Sequence, residues 1–153
     1  MLRIKMSKKS DDFVLRLIIL VVLIGVLYFA IREISLEQQA LSNLRIEIYD
    51  VSVSRIGLTS ADLAIKLKFT NPTSHDTPSF EAKMDVYLNG IYVGQLVIPE
   101  TKVYSNSYSF QSSVLTVSYS GGIEALLEGS FTVALHGRIY YKLLGIIPQE
   151  VSF

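Results

Sequence analysis

The sequence predicts an all-β fold, a seven-stranded antiparallel β-sandwich, preceded by one N-terminal transmembrane α-helix. Three observations carry this. Phe13–Ile31 is an almost unbroken apolar run. From Arg45 onward the hydrophobic period changes to two, the signature of half-buried strands. Turn signals such as Asn71-Pro72 and Asn89-Gly90 then divide the alternating stretches.

The apolar run comes first in the chain. A helix of about 19 residues is about 28 Å long at 1.5 Å per residue, close to the hydrocarbon thickness of a bilayer. A single helix satisfies its own backbone amides, as lipid demands. Only Arg16 interrupts the run. It sits one turn inside, where its stem can carry the guanidinium back to the headgroups as an interface anchor. A buried core helix would show a polar stripe, and Leu17–Ile31 has none.

The flanks give the direction. Arg3, Lys5, Lys8 and Lys9 precede the span, and only Arg32 follows it closely. Excess Lys and Arg mark the cytoplasmic side, which places residues 1–12 inside as a basic stub and the rest outside. A cleaved signal peptide would need a short core and small residues at its cleavage site. Here the core is long and Tyr28-Phe29-Ala30-Ile31-Arg32 is bulky, so an uncleaved anchor in the cell membrane is expected.

Residues 32–44 are rich in helix formers and read as a helical stalk continuing the span. Ile34, Leu41 and Leu44 lie roughly on one face, suited to packing on the chain's own domain or on a neighbour, the first being the simpler expectation. Gly25 has no small residue four positions away, so no helix-dimerisation motif is present in the span.

Residues 45–153 form the outer domain. Ile46 and Ile48, then Val51 and Val53, alternate with polar residues, and the phase change at Tyr49-Asp50 predicts a bulge. Ala61–Thr70 is one-sided: Leu63, Ile65, Leu67 and Phe69 face one way, Lys66, Lys68 and Thr70 the other. Asn71-Pro72-Thr73 stops it, and a loop follows over Ser74–Pro78. In Phe80–Leu88 the inward set is Phe80, Ala82, Met84, Val86 and Leu88. Asn89-Gly90 closes a hairpin, the pair that best tolerates the positive φ of a type I′ turn. Ile91–Ile98 returns, and Pro99-Glu100 is expected to end that strand.

Val103–Val117 is polar but extended in character, with Tyr108, Phe110 and Val114 as its expected inward positions. Ser118–Gly129 breaks the pattern, and Ser120 is placed to cap a short helix containing Ile123, Leu126 and Leu127. Phe131–Ile139 alternates again, and a last apolar segment runs from Leu143 to Phe153.

Composition narrows the function. Residues 44–153 carry eight Lys/Arg against ten Asp/Glu, so the outer domain has no basic excess and nucleic acid is not an expected partner. There is no cysteine, so the domain is held by its core alone. His75 and His136 lack a second ligand type at metal spacing and read as solvated histidines. Ser74-His75-Asp76 reads as turn chemistry, with no oxyanion or nucleophile context. Glu81 and Asp85 share a strand face with Lys83 between them, a surface charge ladder rather than an acid–base pair. No cofactor, metal or small-molecule substrate is indicated, and a non-enzymatic protein is expected.

The order "DLAIKLKFTNPT…FEAKMDVYLNGIYVGQLVIPE", followed by a polar strand, a short helix and "FTVALHGRIYYKLLGIIPQEV", resembles the late embryogenesis abundant LEA14-type domain, also called the water stress and hypersensitive response (WHy) domain. The resemblance spans residues 45–153 and rests on the order and spacing of structural motifs. Thr73 stands where the family usually has a second Asn. The resemblance implies a fibronectin type III-like sandwich linked to desiccation and other stress tolerance, without known catalytic residues. The anchored arrangement is similar to that of the plant harpin-induced members. Two roles follow as expectations. One is protection at the outer membrane face by weak contacts with lipid or unfolding proteins. The other is an accessory subunit of a membrane or cell-envelope complex with a protein partner, including a filament variant built by sheet-edge pairing.

Overall fold

A computed structural model of the chain describes residues 8–118 and 131–153, with side chains described from Asp12. It contains a helix α1 (Lys8–Ser42) and strands β1 (Arg45–Ile56), β2 (Ser60–Asn71), β3 (Phe80–Leu88), β4 (Ile91–Thr101), β5 (Ser107–Ser118), β6 (Val133–Leu143) and β7 (Ile147–Ser152). The strands form two antiparallel sheets, ordered β1-β2-β5 and β4-β3-β6-β7. The seven-stranded sandwich read from the sequence is the fold observed. The short helix expected around Ile123–Leu127 lies outside the described residues.

The chain divides into two compact units, Met1–Ser35 and Leu36–Phe153. In the first, α1 is apolar on every side from Leu17 to Ile31. Its large apolar side chains from Phe13 to Ile31 are all between 46 and 69% exposed. Between Asp12 and Ser42 the helix is long and apolar enough to cross a bilayer.

The second unit includes the last turns of α1. There Ala40 and Leu41 are buried, and Glu37 Oε2 accepts a hydrogen bond from the Leu144 backbone N–H at 3.0 Å. These turns thus pack within the same unit as the strands, as the apolar Leu41 suggested.

The sandwich core is built from the alternation read in the sequence. β2 gives Leu63, Ile65, Leu67 and Phe69, and β3 gives Phe80, Ala82, Met84, Val86 and Leu88. Leu96 and Ile98 from β4, Val117 from β5, and Ile139, Tyr141 and Leu143 from β6 complete it. Phe69 and Phe80 meet across the two sheets with ring centroids 5.6 Å apart. Each fully buried side chain of this size contributes about 1.5–3 kcal/mol. The predicted bulge is present, since the β1–β2 register shifts between Ile48 and Asp50 and again between Val53 and Arg55.

Two expectations are corrected. The inward face of β5 is the opposite one: Tyr108, Phe110 and Val114 point outward and are exposed. The register sets Ser109 across from Phe69, Gln111 across from Leu67, Ser113 across from Ile65 and Leu115 across from Leu63. Cross-strand partners share a face, so these four face the core. Small residues beside the large ones of β2 keep the interior within its packing volume, and the aromatics turn out.

The second correction concerns Pro99-Glu100, which does not end β4. The strand continues to Thr101, because Ala82 pairs with Ile98 while Phe80 pairs with Thr101. Pro99 and Glu100 both oppose Glu81, so the proline occupies a bulge on an edge strand, where no ladder donor is required of it.

Candidate functional site

Asn71, the last residue of β2, is fully buried. Its Nδ2 donates to the carbonyls of His75 at 2.7 Å and Val103 at 3.2 Å. Its Oδ1 accepts from the Thr73 N–H at 3.0 Å and the Thr73 hydroxyl at 2.7 Å. The side chain is therefore saturated by the loop it closes. Thr73 takes part through backbone and hydroxyl together, which is how the departure from a second Asn is accommodated. The network continues to the segment before β5: Val103 N–H donates to Thr77 Oγ1, Ser105 N–H to Asp76 Oδ1, and Asn106 N–H to the Thr73 carbonyl. Pro72 is exposed at the turn. With every polar atom of Asn71 engaged, this site fixes the exit of β2 and offers no donor to a ligand.

Asn89 and Gly90 have φ of 49° and 82°, as a type I′ turn requires. The Asn89 side chain also accepts from the Thr132 N–H at 2.9 Å and hydroxyl at 3.1 Å, tying the hairpin to the start of β6. Asn71-Pro72 and Asn89-Gly90 thus lie at opposite ends of β3 and form no joint site. Arg16 is exposed on α1 in the other unit.

What the sequence reading missed lies on the outer face of the β1-β2-β5 sheet. Lys66 Nζ stands 4.5 Å from the Phe110 ring centroid and 5.2 Å from that of Tyr49. Those two rings meet edge to face at 4.8 Å. Lys68 Nζ lies 4.8 Å from the Tyr108 ring, which in turn meets Phe110 at 5.4 Å. The three rings and two ammonium groups come from three strands. Lys66 and Lys68 alternate outward in the sequence, but its pattern points Tyr108 and Phe110 inward, and only the β2–β5 register turns them out and places the pairs together.

The outer face of the other sheet holds an open basin of about 420 Å³ lined by β3, β4, β6 and β7. Asp85 and His136 are cross-strand partners there, as are Lys83 and Arg138. Gln95 Nε2 donates to Asp85 Oδ1 at 3.2 Å, and Arg138 pairs with Glu150 at 3.0 Å. The His136 ring packs edge to face on Tyr87 at 5.6 Å. Of these contacts only Arg138–Glu150 is an ion pair, and the Asp85 carboxylate is held by the neutral Gln95 amide. Among the described residues no group of three His, Asp or Glu is placed to hold a metal ion. Burial pushes the Tyr141 phenol up from its ordinary value.

No protein-family model and no curated protein sequence matches the chain. Solved structures do. The solution structure of an Arabidopsis thaliana protein is similar over 71% of this chain and 75% of its own length, with 19% identity and a TM-score of 0.54. A crystal structure from Archaeoglobus fulgidus is similar over 71% of this chain and 96% of its own, at 11% identity and a TM-score of 0.43. A solution structure provisionally described as a late embryogenesis abundant protein is similar over 77% of this chain and 78% of its own, at 15% identity and a TM-score of 0.45. The first of these likenesses is one of fold.

Proposed function

We propose that the chain is a non-enzymatic, membrane-anchored protein of the LEA14 type, acting in stress protection through weak contacts between its sandwich and proteins or lipid. The observation that carries the anchor is α1, apolar on all sides from Leu17 to Ile31, with its large apolar side chains open to the surroundings from Phe13 to Ile31. Water solvates such a surface poorly, and a bilayer removes the cost. The basic stub before it supports a cytoplasmic N-terminus and an extracytoplasmic sandwich. The family reading is supported by the motif order over residues 45–153; the Arabidopsis structure shares the fold.

Protease protection tests the topology. In intact cells, external protease is expected to cut the sandwich while the N-terminal stub survives, and the membrane-bound chain keeps its original N-terminus. Cleavage of the sandwich only after lysis reverses the orientation, and an N-terminus trimmed beyond Ala30 makes the helix a signal sequence. Loss of survival on drying in a deletion strain tests the stress role.

A second reading, an accessory subunit of an envelope complex, is favoured by the exposed Tyr49–Tyr108–Phe110 cluster, since aromatic residues are enriched at interfaces. A different protein co-purifying at fixed stoichiometry after gentle detergent extraction selects it.

A further inference from the structure

Among the described residues four strands end a sheet, and edges invite a further strand unless something discourages it. β1 carries two bulges and the charges Arg45, Glu47, Asp50 and Arg55. β4 carries register shifts at both ends, with Pro99 and Glu100 in one of them. β7 has only six residues, among them Pro148 and Glu150. β5 has none of these devices. Its twelve residues, SYSFQSSVLTVS, include no charge, proline or glycine, and it pairs with β2 along its whole length without a shift. Among the described strands it pairs with β2 alone.

We infer that β5 is the pairing edge for β5 of a second copy of this chain, joined antiparallel about a two-fold axis. Charge selects this occupant. Pairing about a two-fold axis sets residues of one strand against residues of the same strand, so charges near the axis meet their like; an uncharged strand escapes this repulsion. With Ser112 on the axis, Phe110 stands across from the second copy's Val114, and Tyr108 across from its Thr116. Aromatic and β-branched pairs of this kind stabilise antiparallel ladders. The same pairing explains exposure at this edge, where Val114 is 61% and Tyr108 58% exposed. Because the other edges are blocked, assembly stops at two chains and no filament grows. The inference goes beyond the proposed function and does not depend on the anchor.

The chain has no cysteine, so a single introduced thiol reports its own surroundings. The test uses the whole chain in detergent micelles. The unaltered protein is expected at the mass of two chains by native mass spectrometry. Under mild oxidation Ser112→Cys cross-links to a two-chain band about ten-fold faster than Glu47→Cys on the β1 edge, because pairing raises the effective thiol concentration to the millimolar range. Ser112→Lys sets two ammonium groups on the axis and gives the one-chain mass, with circular dichroism showing the sheets retained and a lower thermal midpoint, because pairing no longer supports the fold and Lys66 stands across from the new charge in the same chain. A one-chain mass for the unaltered protein overturns the inference. So do a two-chain mass that survives Ser112→Lys, equal cross-linking rates, or a different protein captured by the thiol of the Ser112→Cys variant.

Discussion

The Glu37 carboxylate holds the backbone N–H of Leu144 at 3.0 Å, joining the last turns of α1 to the turn between β6 and β7. Leu144 has φ of 52° and the following Gly145 has 72°, while Ile146 N–H donates to the Leu143 carbonyl at 3.1 Å. Leu143 to Ile146 form a β-turn with both central residues left-handed, inside a three-residue loop between the paired Leu143 and Ile147, and leucine is a poor occupant of the first central position. Leu144→Asn restores the Asn-Gly pair favoured there and keeps the N–H for Glu37. It is expected to stabilise the chain by about 0.5–1 kcal/mol. Glu37→Ala is expected to cost about 1 kcal/mol, Glu37→Gln less, because the amide oxygen still accepts. Thermal unfolding of the three variants in one detergent checks the order.

Asn71 serves four hydrogen bonds from a fully buried position. Asn71→Ala removes one donor each from the His75 and Val103 carbonyls, which keep Thr73 Oγ1 and the Thr77 N–H, and takes the acceptor from the Thr73 N–H and hydroxyl. The expected loss is about 2–4 kcal/mol. Pro72→Ala, at an exposed position, is expected to change stability by less than about 0.5 kcal/mol. Denaturant unfolding followed by tyrosine fluorescence separates the two; equal losses would contradict the role given to the Asn71 side chain.

Gly137 lies across from Met84 on β3. A Cβ there would meet the Lys83 carbonyl oxygen and approach the Met84 Cα to 2.8 Å, both rigid backbone atoms. Gly137 also exchanges two hydrogen bonds with Phe153, at 3.2 and 3.0 Å. Gly137→Ala is expected to cost about 1–3 kcal/mol by overpacking, a loss read as a lower unfolding midpoint.

Tyr141 titrates above its ordinary value of 10.0 because burial disfavours the phenolate. The folded chain therefore holds that proton more tightly than the unfolded one. The resulting stability is complete below pH 10 and declines as pH rises through the raised folded value. Tyr141→Phe is expected to flatten this alkaline decline while leaving the neutral region little changed. Unfolding midpoints measured between about pH 8 and about 12 test the difference.

Much of the fold was legible in single strands. β2 and β3 have strong contrast between apolar and polar positions, so Leu63 to Phe69 and Phe80 to Leu88 declared their inward faces from the alternation alone. Asn89-Gly90 declared its turn because few other pairs tolerate its backbone angles. The structural role of Asn71 was legible as a strand exit, but its partner Val103 is distant in sequence and reaches it only in the folded chain.

What local pattern determined, then, was the class of each segment: an apolar helix, alternating strands, and the turns between them. Those properties follow from the backbone preferences and solvation of neighbouring residues. Tertiary structure decided the rest. In β5 the alternation of Tyr108 and Phe110 with polar residues points the aromatics inward, but pairing with β2 fixed the opposite phase, setting Ser109 beside Phe69 and turning Phe110 toward Lys66. Pro99 lies within β4 because an edge strand tolerates a missing donor, and no sequence pattern states which strand is an edge. The aromatic and lysine cluster has the same origin, since cross-strand neighbours are chosen by register, a property of pairs of strands rather than of either one.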